Sequence, residues 1–323
     1  VIVPFVSCII LSHDKAAFVG EAIASVAAQT FTDWEAIVFD SGTLYDRGFY
    51  ESLPVMKDPR IRLVRSWETE ELKNTKTIAS WCFNECFRKN IVKGQYVNYL
   101  CDDDLYYPNA FQTFHDYAQA NPSVMAMYAS IDLTGVTVDG EKRRFLEMIA
   151  NEIKGSCCNG GQLDYRVDYM QLCHKAELVK LFPDDEYWPE DREVIKHADG
   201  IFLEKIGSYV PIYPINVKIG ENRKVPQSLN YGGERLELFL RNCRLEEEKT
   251  HLQHAVFAHQ AEILHLRQTL SALQGRLAYR VADRLDRVLK RVPLLRSLTR
   301  RVLLTSWQAW RLTKRLRPGR TSG

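Results

Sequence analysis

Three adjacent aspartates, Asp102-Asp103-Asp104, close an apolar run that reads Tyr96-Val97-Asn98-Tyr99-Leu100-Cys101. Neighbouring carboxylates repel one another, and a folded chain rarely crowds three together unless a cation shares the charge. Oxygen donors of this kind select hard ions, Mg²⁺ or Mn²⁺, which keep water and bridge to the phosphates of a substrate. A strand that ends on carboxylates presents them where an open α/β sheet binds its ligand. The competing reading is a solvated acidic turn ahead of Pro108. Two earlier apolar runs also end on polar groups, the first on Ser12-His13-Asp14 and the second on Asp40-Ser41-Gly42-Thr43.

The elements that must hold these groups alternate between strand and helix. Residues 3–11 are rich in Val and Ile and predict a buried parallel strand. Residues 18–29 predict a helix with Val19, Ile23 and Val26 on one face, and residues 34–39 a second strand. Strands at 61–65 and 96–101 flank a helix at 77–89, and a further helix follows at 108–121. This order argues for a mostly parallel sheet covered on both faces. Beyond it, residues 124–133 and 135–138 predict a strand pair, 139–165 a polar excursion, 168–182 a helix and 200–206 another. The prolines within 210–217 suit a sheet edge.

Hydrophobic content of 46% and charged content of 26% exclude a disordered or fibrous chain. The net charge of +2 hides an asymmetry: residues 276–323 carry 14 Lys/Arg against two Asp, so the remainder is acidic by 10. Eight cysteines, at 8, 82, 86, 101, 157, 158, 173 and 243, form no CxxC pair and predict reduced thiols in a cytosolic protein. The chain opens on Val1 rather than methionine, which leaves a preceding signal or anchor open. No apolar run of about 18 residues predicts a membrane span.

After Gly232-Gly233 the pattern changes. Leu238, Leu245, Leu252, Val256, Ile263, Leu266, Leu270, Leu273 and Leu277 follow a three-four alternation, interrupted by Lys249 and His259. This predicts either a coiled coil or a long helix folded back on the body. From Arg276 onward Leu and Val interleave with Arg, and Trp307 and Trp310 stand three residues apart. Broken at Pro293, this segment reads as a basic amphipathic helix suited to an anionic membrane surface rather than to nucleic acid.

The segments Val6-Ser7-Cys8-Ile9-Ile10-Leu11-Ser12-His13-Asp14, Glu21-Ala22-Ile23-Ala24-Ser25-Val26-Ala27-Ala28-Gln29-Thr30 and Trp34-Glu35-Ala36-Ile37-Val38-Phe39-Asp40-Ser41-Gly42-Thr43, with the triplet beyond them, resemble family 2 glycosyltransferases of the GT-A fold. The resemblance covers about residues 5–225. It implies an α/β GT-A domain over 1–230; the patterns beyond it give a coiled-coil helix at 231–277 and a basic helical tail at 278–323. The resemblance further implies an inverting transferase that uses Mn²⁺ or Mg²⁺ and a nucleotide-diphosphate sugar, UDP-linked for preference. Asp40 then stands where the family reads the nucleobase, with Ser12 and Asp14 beside the same pocket. Asp102 falls at the donor ribose, and Asp103 and Asp104 at the metal. The family more often has aspartate where Cys101 stands, so the DXD register within the triplet stays open.

The resemblance also calls for a general base at a helix start in the second half. Asp199 fits by its distance to Pro211 and to Gly220-Glu221-Asn222-Arg223, with Asp191 of Glu190-Asp191 as the alternative. Both Asp14 and Asp199 have a competing reading as helix N-caps. Arg223 and Lys224 are read either as a mobile cover over the pyrophosphate or as solvated. Trp188 and residues 155–165 are acceptor-side candidates. The expected partners are a UDP-sugar, a saccharide or lipid-linked saccharide acceptor, the inner face of the cell membrane and a second copy through the coiled coil. The alternatives are a same-fold nucleotidyltransferase, which lacks a Gly-rich phosphate loop here, and a non-catalytic scaffold.

Overall fold

The computed structural model describes residues 3–42, 48–66, 69–136, 142–150, 167–183, 187–226, 228 and 233–291. The first half runs β1 (Val6–Ser12), α1 (Ala16–Ala27), β2 (Trp34–Asp40), α2 (Gly48–Ser52), β3 (Ile61–Arg65), α3 (Thr69–Leu72), α4 (Ile78–Arg88) and β4 (Tyr96–Cys101). It continues through β5 (Leu105–Tyr106), α5 (Ala110–Ala120), β6 (Ala126–Val136), β7 (Lys142–Met148), β8 (Leu172–Lys175), α6 (Ala198–Tyr209), β9 (Ile212–Lys224) and α7 (Gly233–Arg291).

The strands form one sheet in the order β3-β2-β1-β4-β8-β6-β9-β5, with β7 paired to β6. Strands β3, β2, β1 and β4 are mutually parallel, as their apolar runs predict. Beyond β4 the sheet is mixed: β8 runs antiparallel to β4 and β6, while β9 lies parallel to β6 and antiparallel to β5.

Strand β1 is buried along its whole length because both faces of the sheet are covered. Val6, Cys8 and Ile10 join the core on one face, with Val19, Ile23 and Val26 of α1 and Phe111 and Phe114 of α5. Ile9 and Leu11 join the other, with Trp81, Phe83 and Cys86 of α4 and Phe202, Leu203 and Ile206 of α6. Strand period two therefore distributes one apolar run between two helical layers. Cys8, Cys82, Cys86, Cys173 and Cys243 are buried free thiols; Cys157 and Cys158 lie outside the described residues.

Three elements differ from the sequence expectation. Residues 168–182 are not one helix but a single 3₁₀ turn (Tyr169–Gln171), β8, and a second 3₁₀ segment (Ala176–Leu181). The side chain of Asp168 closes a capping box on the first turn, and Leu172–Lys175 then pairs with both β4 and β6. Tertiary pairing overrides the helical pattern. The strand pair expected between 124 and 138 is the single strand β6, bulged at Leu133/Thr134, and its partner β7 lies in the segment read as a polar excursion. Edge character holds for the first half of β9, since β5 pairs only with Gly220 and Glu221.

The chain divides into two units, Val1–Leu252 and Gln253–Gly323. The first contains the sheet and its helices. The described part of the second is the continuation of the 59-residue helix α7. No described helix is long and apolar enough to cross a membrane. The basic tail beyond residue 291, with Pro293, Trp307 and Trp310, lies outside the described residues.

Candidate functional site

Three parallel strands end side by side. Ser12 of β1 is in register with Asp40 of β2, and Leu11 of β1 with Cys101 of β4, so Asp102 follows at the same edge. The polar groups that end three separate apolar runs thus converge at the C-terminal ends of neighbouring strands, where β2 lies on one side of β1 and β4 on the other.

The triplet is buried, which removes the solvated-turn reading. The Asp102 carboxylate accepts the His13 backbone N–H at 2.7 Å and lies 3.1 Å from the Lys15 ammonium. Asp103 takes the same ammonium at 2.9 Å and the Ser228 hydroxyl at 2.7 Å. Asp104 accepts the Arg223 backbone N–H at 2.8 Å and the Asn222 amide at 3.3 Å. That amide also donates to Asp168 at 3.0 Å, and Arg223 Nε donates to the Asp103 carbonyl.

These contacts only partly offset the crowding. Burial, with the Asp103 charge, holds the Asp102 carboxyl above the usual range despite Lys15. Burial and the charges of Asp103 and Asp168 push Asp104 further up. Burial raises Asp168 as well, against the pull of Lys224. For Lys15, burial favours the neutral amine, but the neighbouring Asp103 and Asp102 oppose it and the ammonium is held. The turn retains a preference for added positive charge.

Asp40 lies at the end of β2, where its carboxylate accepts the Gly42 N–H at 3.1 Å and meets Arg65 Nε at 3.3 Å. The Tyr50 hydroxyl stands 3.2 Å from Asp40 and 2.8 Å from Ser12 Oγ, tying the ends of β1 and β2 together. Burial raises the Asp40 carboxyl above its ordinary value, opposed by Gly42, Tyr50 and Arg65. Asp14 has a left-handed backbone, φ 56°, and a Cβ at Gly42 would collide with its carboxylate. The N-cap position of α1 is Lys15, and Asp14 stands one residue before it.

The other candidates stand on the α4–α6 side. Asp199 occupies the first turn of α6, whose N-cap is His197, so it is not the cap either. Trp188 stacks on Phe202 of that helix at 3.8 Å between ring centroids and is buried, which makes it core rather than an acceptor platform. Glu190 is buried among Asn84 (2.7 Å), Lys76 (2.9 Å) and Arg88 (2.7 Å), and the three hold its carboxyl below the ordinary range against burial. Asp191 is exposed, caps a short 3₁₀ turn through Glu193 N–H at 2.9 Å, and accepts the Thr77 hydroxyl on its carbonyl at 2.7 Å. The Glu190-Asp191 pair is a strut to α4. The 155–165 candidates and Thr43 lie outside the described residues.

Arg223 and Lys224 are neither a mobile cover nor solvated. They are buried at the end of β9, in register with Thr134 and Gly135 of β6. Arg223 Nη1 also meets Glu21 at 2.5 Å, and its Nη2 has no hydrogen-bond partner among the described residues. Sequence reasoning missed Lys15, Tyr50, Arg65, Asp168 and Ser228. Only Lys15, one residue beyond the polar end of β1, carried a positional signal.

Donor atoms of Cys101, Asp103 and Asp104 lie within 4.8 Å of one another. Two carboxylates suit a hard divalent ion, whereas burial holds the Cys101 thiol well above its ordinary value, protonated and soft. Asp103 and Asp104 therefore fit such an ion and Cys101 does not.

Residues 7–177 match the family model for glycosyl transferase family 2. Protein CgeD of Bacillus subtilis (strain 168) is 26% identical over 231 residues, covering 69% of this chain and 51% of CgeD. The chain thus spans about half the length of that relative. Among solved structures, S. aureus TarS aligns at 15% identity over 72% of this chain and 38% of its own, with a TM-score of 0.48. The mannosyltransferase PcManGT from Pyrobaculum calidifontis, in complex with GDP-Man and Mn²⁺, aligns at 16% identity over 71% of this chain and 59% of its own, with a TM-score of 0.45.

The Lys15 ammonium gives a first test of the charge balance. Lys15→Met leaves Asp102 and Asp103 buried without their shared cation, and removing one partner of a buried ion pair costs about 3 kcal/mol. Urea unfolding should show a lower midpoint for the variant; an unchanged midpoint would mean that Lys15 does not compensate the triplet.

Proposed function

The chain belongs to glycosyl transferase family 2, and from that premise we propose that it moves a sugar from a nucleotide-diphosphate donor, UDP-linked for preference, to a hydroxyl of a saccharide or lipid-linked saccharide. The observation that carries this reading is the convergence of Ser12, Asp40 and the Asp102–104 turn at one edge of the parallel strands. Asp40 reads the base, in a corner held by Tyr50 and Arg65. Ser12 and Asp14 line the same pocket, and Asp102 binds the ribose. Asp103 and Asp104 would hold Mn²⁺ or Mg²⁺, which would supply Lewis-acid neutralisation of the diphosphate. Lys15 and Arg223 bring further positive charge to the same turn.

Asp199 is the proposed general base. Its carboxylate takes the proton of the acceptor hydroxyl as that oxygen bonds to the anomeric carbon and the bond to the departing phosphate oxygen breaks. A single displacement of this kind inverts the anomeric centre. Asp199 stands in the first turn of α6, at the N-terminal end of that helix. The structural duties of Glu190-Asp191 weigh against Asp191 in that role.

The basic tail, residues 278–323, is proposed to hold the enzyme at the anionic cytoplasmic face of the membrane, with no nucleic acid as partner. Full-length protein should float with vesicles containing anionic lipid and remain in solution with neutral vesicles. Equal flotation with both, or with neither, would remove the membrane from this account.

Sugar transfer separates the two candidate bases. Asp199→Asn should lower kcat by about 10²–10⁴-fold while donor binding is retained, and Asp191→Asn should stay within a few-fold of wild type. The opposite ranking would move the base to Asp191. Full activity in both variants would place the base elsewhere, and absence of transfer by the wild type would assign the body to a scaffold role.

A further inference from the structure

Helix α7 carries two faces that the sequence pattern alone does not separate. Near its start, Cys243 and Thr250 are buried, and Phe239 lies under the Lys224 ammonium at 4.6 Å. These residues share one side of the helix, since Cys243 and Thr250 are seven apart. Leu238, Leu245 and Leu252 lie on a different side and are exposed over the same turns. Within the first unit, the body therefore packs on one face of α7 and leaves Leu238, Leu245 and Leu252 exposed on another.

The apolar seam of α7 is most regular over residues 252–277. Val256, Ile263, Leu270 and Leu277 fall at heptad position a, and Leu252, His259, Leu266 and Leu273 at d. The seven apolar members are 48–67% exposed. At a rise of about 1.5 Å per residue the seam runs close to 38 Å.

We propose that a second copy of this chain covers this seam as a parallel, in-register, two-stranded coiled coil. Three features select that occupant. β-Branched Val256 and Ile263 at a, with leucine at d, favour two parallel strands. In register, Glu262 at g of one helix meets Arg267 at e of its mate, once on each side of the two-fold axis. The polar residues Lys249 at a and His259 at d then face their own counterparts, whereas a slip of one heptad would set each against an apolar residue or open the end of the seam. This pairing uses α7 alone and is independent of the donor-site reading.

The test is the mass of the full-length protein at micromolar concentration, by light scattering after gel filtration. The expected value is about twice the 37.3 kDa chain. The double substitution Ile263→Asp with Leu270→Asp should return a one-chain mass. Register is read by oxidising a Leu266→Cys variant, which should give an interchain disulfide joining the two copies of position 266, mapped by peptide mass. Gln268→Cys, at the outer position f, should give none. A one-chain or three-chain mass for the wild type would overturn the proposal. So would cross-linking at 268 as readily as at 266.

Discussion

Mutual repulsion within one buried turn is the constraint on which the rest of the first unit depends. Asp102, Asp103 and Asp104 follow one another out of β4 with almost no exposure to water. Isolated buried carboxylates would be neutralised by protonation or would disrupt the turn. Here their charge is met from two directions remote in sequence. The β1–α1 connection brings the His13 N–H and Lys15, and the end of β9 brings Asn222 and Arg223. The two halves of the sheet are thereby tied through the same turn. Because that compensation is incomplete for Asp102 and Asp104, the residues that stabilise the fold also leave the site short of positive charge.

The parallel half of this arrangement was legible in the sequence. Apolar runs ending on Ser12, Asp40 and Cys101 are strands that stop where the chain turns, and parallel strands of similar length stop at a common edge. Their side chains alternate between two covered faces, so the runs are nearly continuous in Val, Ile and Leu instead of alternating with polar residues. The partners of the site were less legible. Tyr50 and Arg65 act only because α2 and β3 lie beside β2, and Asp168 only because β8 is inserted between β4 and β6. Residue type at those positions carries no mark of such neighbours.

Where local pattern and tertiary pairing disagreed, pairing prevailed. Leu172–Lys175 has the spacing of a helix but supplies the strand that bridges two halves of the sheet, with His174 buried between Tyr99 and the Lys175 carbonyl. Arg223 and Lys224 have the look of a surface basic pair, yet strand pairing with β6 buries both beside the triplet. In α7 the period was legible, but the face used by the body was not. Only the burial of Cys243 and Thr250 beside exposed Leu245 and Leu252 distinguishes the two.

The central claim is that the edge formed by Ser12, Asp40 and the triplet binds a nucleotide diphosphate together with a divalent cation. Calorimetric titration of UDP into the full-length protein, with and without Mn²⁺, tests it most directly, with Asp103→Ala as the control. The account requires binding that depends on Mn²⁺ and is lost in the folded Asp103→Ala protein. Binding of equal strength with and without the ion, or binding that survives the substitution, would contradict it.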